Sequence, residues 1–156
     1  TTGSAGKIPD VNRPILLSLL STFSTGINPV DLGIQRDDDL ESLSDALRAA
    51  LNQCDVVITT GGISMGESDV LEQVFLDNLG GTLHFGRLHM KPGKPTTFIT
   101  TKSSDNGHTR FVFCMPGNPV SATVCTQLIV RPCLNLLLSD RQHQQADDVR
   151  HGESSV

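Results

Sequence analysis

Tryptophan and tyrosine are absent from this chain of 156 residues, and phenylalanine occurs only six times. A platform for stacking nucleic-acid bases needs exposed aromatic rings, so this scarcity argues against one. Positive charge is also in short supply. Twelve Lys and Arg stand against 17 Asp and Glu, for a formal charge of −5. A general nucleic-acid binder would present a basic face, and no nucleic-acid partner is expected. Hydrophobic residues make up 37% of the chain, and no continuous apolar run approaches the length of a membrane span. No membrane insertion is expected on that ground. The N-terminal Thr1-Thr2-Gly3-Ser4-Ala5-Gly6 lacks the charged-then-apolar order of a signal peptide. The four cysteines, Cys54, Cys114, Cys125 and Cys133, include no C-x-x-C pair and no nearby His that would complete a zinc pattern. Cys54, Cys114 and Cys125 sit in apolar stretches, where a free thiol behaves as a small hydrophobe. The expectation is a reduced, cytoplasmic protein.

The length suits one compact domain. Ile15, Leu16, Leu19, Leu20 and Phe23 recur at steps of three and four, which predicts a helix over 12–25. Val30, Leu32 and Ile34 alternate, which predicts a strand over 29–34. Helical spacing returns with Leu43, Leu47, Ala50 and Leu51. Residues 55–60 form a continuous β-branched run that reads as a strand buried on both faces. A helix over 69–77 and a strand-like stretch over 83–90 follow. Two further strands, 96–101 and 110–114, flank Asn106-Gly107 and read as a hairpin. A long apolar helix spans 120–138, with Pro132 placed to kink or break it. Residues 1–138 thus form the domain, and the polar stretch 139–156 reads as a disordered tail or linker. The alternation of helix and strand predicts an α/β layered fold with a mostly parallel sheet and an antiparallel hairpin. Such folds bind ligands beyond the carboxyl ends of their strands, which points to the loops at 36–39, 61–68 and 115–119.

Five groups of residues carry candidate chemistry. Thr60-Gly61-Gly62-Ile63-Ser64-Met65-Gly66-Glu67-Ser68-Asp69 leaves a strand and opens a helix, where free N–H groups attract anions. A plain strand-to-helix turn would look similar. Arg87-Leu88-His89-Met90-Lys91-Pro92-Gly93-Lys94-Pro95 is a basic island in an acidic chain, as an anionic ligand requires. The competing reading is a solvated basic turn. In Met115-Pro116-Gly117-Asn118-Pro119-Val120-Ser121, Asn118 fits a helix N-cap and Pro119 the first helical position. Asp37-Asp38-Asp39 and Asp69 could share a hard cation such as Mg²⁺, or each could serve as a helix cap. Asn12 reads as the cap of the first helix, and Asp10 as a turn residue or ligand contact. His84 and His89 flank the basic loop and carry no assigned role.

Four segments in one order resemble the molybdopterin molybdenumtransferase family. They are Gly6-Lys7-Ile8-x-Asp10-x-Asn12, Gly61-Gly62-Ile63-Ser64-Met65-Gly66-Glu67-x-Asp69, His84-Phe85-Gly86-Arg87-x-x-Met90-Lys91-Pro92-Gly93 and Pro116-Gly117-Asn118-Pro119-Val120-Ser121-Ala122. The likeness covers the chain from about Gly6 to Leu138. It implies the three-layer α/β/α molybdopterin-binding fold and a role in molybdenum cofactor biosynthesis. The implied reaction is Mg²⁺-dependent insertion of molybdate into adenylylated molybdopterin, with release of AMP. The resemblance places the active-site acids and metal ligands on Asp37 and Asp69, with Asp38 as the alternative to Asp37. It places the catalytic cations on Arg87 and Lys91. The cofactor-binding positions fall on Gly61, Gly62, Ser64, Gly66, Glu67, Lys94, Pro116, Gly117, Asn118, Pro119 and Ser121.

Family members carry a strand and a Thr-Gly-Asp-Glu loop before the first of these segments, whereas only Thr1-Thr2-Gly3-Ser4 precedes it here. The chain is therefore expected to be the catalytic subdomain alone. Homo-oligomerisation is expected through domains outside it. A molybdopterin adenylyltransferase is the rival enzyme, but its Gly-Gly loop continues as Thr-Gly rather than as Ile63-Ser64. A receptor-clustering scaffold module, a role that one branch of the family also carries, is the non-catalytic alternative.

Overall fold

The computed structural model describes residues 9–35, 39–61 and 68–152, with 68–69 and 146–152 described by backbone alone. Helix α1 spans Asn12–Leu20 and α2 spans Leu40–Gln53. The Asp39 side chain caps α2 by accepting from the N–H groups of Glu41 and Ser42, a contribution of about 1 kcal/mol. Strand β1 is Val56–Thr60. Helix α3 covers Ser68–Gln73 and runs into a wide π turn at Val74–Asn78. Strands β2 (Thr82–Gly86), β3 (Thr97–Lys102) and β4 (Thr109–Met115) follow. Helix α4 (Pro119–Cys125) continues through a second π turn, Thr126–Val130, into α5 (Arg131–Gly152).

Side chains alternate across a strand, and here each face of the sheet receives its own helical layer. Val57, Ile99, Val112 and Cys114 point to one side and pack with Leu43, Leu47, Ala50 and Leu51 of α2 and with Val74 and Phe75. Phe113 and Met115 point to the other side and pack with Ala122, Cys125 and Val130, joined by Val56, Ile58, Phe98 and Phe111. Phe75, Ile99 and Val112 are completely buried, and each contributes about 1.5–3 kcal/mol relative to an exposed side chain. The result is the three-layer α/β/α arrangement.

The sheet has four strands in the order β1-β4-β3-β2. β1 runs parallel to β4, while β3 is antiparallel to both β4 and β2. The expected parallel crossover and the expected antiparallel hairpin are both present. Among the described residues, one of the three pairings is parallel. The hairpin accounts for that balance, because β3 reverses direction between β2 and β4.

Several local expectations change. Residues 29–34 form no strand; Val30 and Leu32 are each 39% exposed and Ile34 is 68% exposed. Alternation alone does not make a strand, because a ladder needs a neighbouring backbone. β1 is only half-buried except at Val57. It lies at the end of the sheet, beside an open cavity of about 1840 Å³ lined in part by Ile27, Val30, Leu32, Ile58 and Leu138. Pro132 does not break the chain's last helix. A Pro ring collides with the carbonyl four residues back in a regular helix, and the wider π turn immediately before α5 relaxes that constraint. The stretch expected as a disordered tail is helical through Gly152. Arg141 within it reaches the Asp55 carboxylate at 2.7 Å, and Asp55 also takes the buried Arg110 at 2.9 Å. This network ties α5 to the start of β1.

The segment Pro119–Gln145 is also longer and more apolar than its interrupted apolar runs suggest. Its mean hydropathy reaches 1.3 over 18 residues, which meets the length and composition of a membrane span. Its inner face is accounted for by packing, since Ala122, Cys125, Thr126 and Val130 are buried against the sheet side of the molecule.

Candidate functional site

Strand direction decides where the candidate loops go. Thr60 of β1 pairs with Met115 of β4, Thr97 of β3 with Cys114, and Gly86 of β2 with Thr97. The carboxyl ends of β1, β4 and β2 and the start of β3 therefore share one end of the sheet. The Gly-Gly loop, the basic loop and the Pro-Gly-Asn-Pro loop all leave from that end. Helix α3 stands at the same end, because a Cβ on Gly86 would lie 3.6 Å from Glu72 Oε2.

The basic loop is held closely. Arg87 has φ of +64°, unlike every other non-glycine residue described. A left-handed backbone costs a side chain about 1–2 kcal/mol, so the surroundings must impose it. They do so through backbone bonds: Arg87 N–H donates to Thr96 O at 3.1 Å and Leu88 N–H to Lys94 O at 2.7 Å. Strain of this kind gathers at functional sites. Arg87, Lys91 and Lys94 are all exposed, while Gly93 between the two lysines is buried. The Lys91–Pro92 peptide bond is cis.

The Pro-Gly-Asn-Pro loop meets its neighbours through small atoms. A Cβ on Gly117 would lie 3.5 Å from Gly61 Cα, so these two glycines meet backbone to backbone. Gly61 takes φ of +80°, which a side chain would resist. Pro116 is buried. Asn118 accepts from the Ser121 N–H at 3.1 Å and caps α4, with Pro119 in its first turn.

Asn12 departs from its expected role. The N-cap of α1 is Val11, which makes no side-chain cap bond. The Asn12 amide instead donates to Gly117 O at 2.8 Å, across 105 residues of sequence. Its Oδ1 is buried and has no partner among the described residues. Asp10 serves Arg13 at 2.8 Å, and Arg13 also reaches Asp31 at 2.6 Å. The Arg13 guanidinium holds both carboxyls below the ordinary Asp range. Below the loops, burial pushes the Cys114 thiol up to about 11, and all four cysteines are free.

The structure thus brings Arg87, Lys91, Lys94, Gly61, Pro116, Gly117 and Asn118, on loops, and Pro119 and Ser121, in the first turn of α4, to one end of the sheet. The large cavity reaches this end at Asn12, Gly61, Gly117 and Pro119, but Arg87, Lys91 and Lys94 do not line it. Arg87, Lys91 and Lys94 thus stand apart from that cavity, which is mainly the space along β1. Asp37, with its alternative Asp38, and Gly62, Ser64, Gly66 and Glu67 lie outside the described residues, as do Gly6, Lys7 and Ile8. Asp69 lies in the first turn of α3. The sequence reading missed the Asn12 tether and the buried Thr96 and Cys125 beneath the basic loop, because nothing local to those residues signals a distant contact.

Comparison with known proteins gives the family of the chain. The profile of a family described as "Probable molybdopterin binding domain" matches residues 1–136. The chain belongs to that family. Among its relatives is gephyrin of Dictyostelium discoideum, 40% identical over 85% of this chain and 20% of gephyrin. The molybdenum cofactor synthesis protein cinnamon of Drosophila melanogaster is 36% identical over 83% of this chain and 20% of its own length. A molybdopterin molybdenumtransferase of Haemophilus influenzae is 36% identical over 88% of this chain and 31% of its own length. The chain thus spans about a fifth to a third of the relatives it matches. The four-stranded sheet, its two helical layers and the loops at one sheet end all lie within the residues that the family profile matches.

Proposed function

We propose that this chain acts in molybdenum cofactor biosynthesis as the molybdopterin-binding part of a molybdenumtransferase. Its substrates are adenylylated molybdopterin and molybdate, and its products are the molybdenum-loaded cofactor and AMP. The observation that carries the reading is the gathering of Arg87, Lys91 and Lys94 on a strained, tightly bonded loop, at the sheet end where Gly61 and Gly117 leave the backbone open. The names of the relatives supply the substrate class.

Both substrates are anions. An acidic chain must assemble positive charge and backbone donors locally to hold them. Arg87 offers a planar fork suited to an oxyanion, and Lys91 and Lys94 offer point charges beside it. The sulfur atoms that receive molybdenum belong to the substrate, so the reading needs no nucleophilic side chain. The protein binds, orients and neutralises charge. Homo-oligomerisation through segments outside this chain belongs to the same proposal.

The family resemblance implies Mg²⁺, which takes hard oxygen ligands. Among the described residues, no three Asp, Glu, His or Cys side chains come together as a ligand set. The described donors do not form a magnesium site on their own. Asp37, with Asp38 as its alternative, and Asp69 are its candidate ligands.

The test is molybdate-dependent release of AMP from adenylylated molybdopterin, measured in the enzyme that contains this chain. Lys91→Ala should raise the molybdate concentration needed for half-maximal release by about tenfold or more, the loss expected for one charge-assisted contact. An unchanged molybdate response would remove Lys91 from the site.

A further inference from the structure

Beneath the basic loop lies a buried contact that no ligand needs to touch. Thr96 and Cys125 are both fully buried. The Thr96 hydroxyl donates to Gly93 O at 2.8 Å, and the Thr96 N–H reaches the same oxygen at 3.2 Å. The hydroxyl and the Cys125 thiol are 3.2 Å apart. A hydroxyl has one proton. With that proton given to Gly93, the thiol can in turn donate to the hydroxyl oxygen. Gly93 is also pressed against the thiol, since a Cβ there would lie 2.3 Å from Cys125 Sγ. Gly93 stands between Lys91 and Lys94, and Cys125 lies on α4, the helix opened by Asn118 and Ser121.

We propose that Thr96 and Cys125 are positioning residues that latch the basic loop onto α4, fixing the distance from Lys91 and Lys94 to the Pro-Gly-Asn-Pro loop. The proposal rests on the reading of the basic loop as an anion site. Neither residue touches the anion. Each acts through the Gly93 backbone.

Thr96→Val keeps the shape and removes the hydroxyl, Thr96→Ser keeps the hydroxyl, and Thr126→Val is the control. Thr126 is equally buried and one residue from Cys125, but its hydroxyl donates to Ala122 O within its own helix. Inorganic molybdate is titrated into the full chain by calorimetry. Amide hydrogen exchange is followed at Leu88, whose N–H reports loop closure onto Lys94. Thr96→Val should lose about tenfold or more in molybdate affinity and lose protection at Leu88. Thr96→Ser should stay within about threefold of the parent chain, and Thr126→Val should keep both readouts whatever its melting temperature. If Thr96→Val does not fold, Cys125→Ala against Cys125→Ser carries the same comparison, with protection at Leu88 lost only in the alanine variant.

Parallel losses in Thr96→Val and Thr126→Val would reduce the contact to core packing and overturn the proposal. Molybdate binding with unchanged protection at Leu88 in Thr96→Val would overturn the latch alone. Failure of the parent chain to bind molybdate would overturn the anion reading of the loop, and the positioning role with it.

Discussion

Replacing Gly93 by alanine would place a methyl carbon in space that Cys125 already occupies. The carbon would lie 2.3 Å from Cys125 Sγ and 3.3 Å from Met90 Sδ and Cε, at φ of +109°. Two costs follow, and they have different origins. A side chain at that φ costs about 1–3 kcal/mol in backbone strain. Forcing a methyl into a filled core costs about 1–3 kcal/mol more, because the neighbours must leave their rotamers or the backbone must shift. Their sum, about 2–6 kcal/mol, is a large part of the about 5–15 kcal/mol that holds a domain folded. Urea unfolding followed by circular dichroism would measure it. A double-mutant cycle separates the parts. Cys125→Ala removes the atom that clashes but leaves φ unchanged, so the pair should couple favourably by about 1–3 kcal/mol. A loss under about 1 kcal/mol in Gly93→Ala, or additivity in the cycle, would mean that the loop is not seated on Cys125 as described.

Arg110→Ala should cost about 2–3 kcal/mol in unfolding free energy, somewhat less than a fully buried pair, because Asp55 is half-exposed and can rehydrate. Arg110 also donates to Leu51 O at 2.8 Å, so Arg110→Lys should recover only part of the loss. The acid limb of stability should depend on Arg13, whose side-chain bonds hold the Asp10 and Asp31 carboxyls low. A lowered native value stabilises the fold above the unfolded value of about 3.9 and is lost as pH falls through the native one. Arg13→Leu should therefore flatten the fall in unfolding free energy below pH of about 4, and an unchanged slope would count against the pairs. Of the four cysteines, Cys114 and Cys125 should resist a thiol reagent at pH of about 8 until the chain unfolds. Cys54 and Cys133 should react first but slowly, since burial raises both. Rapid labelling of Cys125 in the native chain would contradict its place in the core.

Periodicity in the sequence was enough to place α2, the strands of the β3–β4 hairpin and the last helix as far as Leu138, because each is specified by neighbours in sequence. The spacing of Leu43, Leu47, Ala50 and Leu51 defines one helix face. Asn118 and Pro119 mark the start of α4 through purely local chemistry. The order of four short segments was enough to identify the family, and the strand-to-loop rule was enough to nominate the loops. Tertiary structure decided the rest. Val30, Leu32 and Ile34 alternate as a strand does, yet backbone pairing depends on a partner that local pattern does not supply. Asn12 looked like a cap and became a tether to Gly117, and Thr96 and Cys125 gave no signal at all. Local pattern reports what a residue prefers, whereas a hydrogen bond across 105 residues, or a thiol packed against a glycine, exists only after the chain has closed on itself.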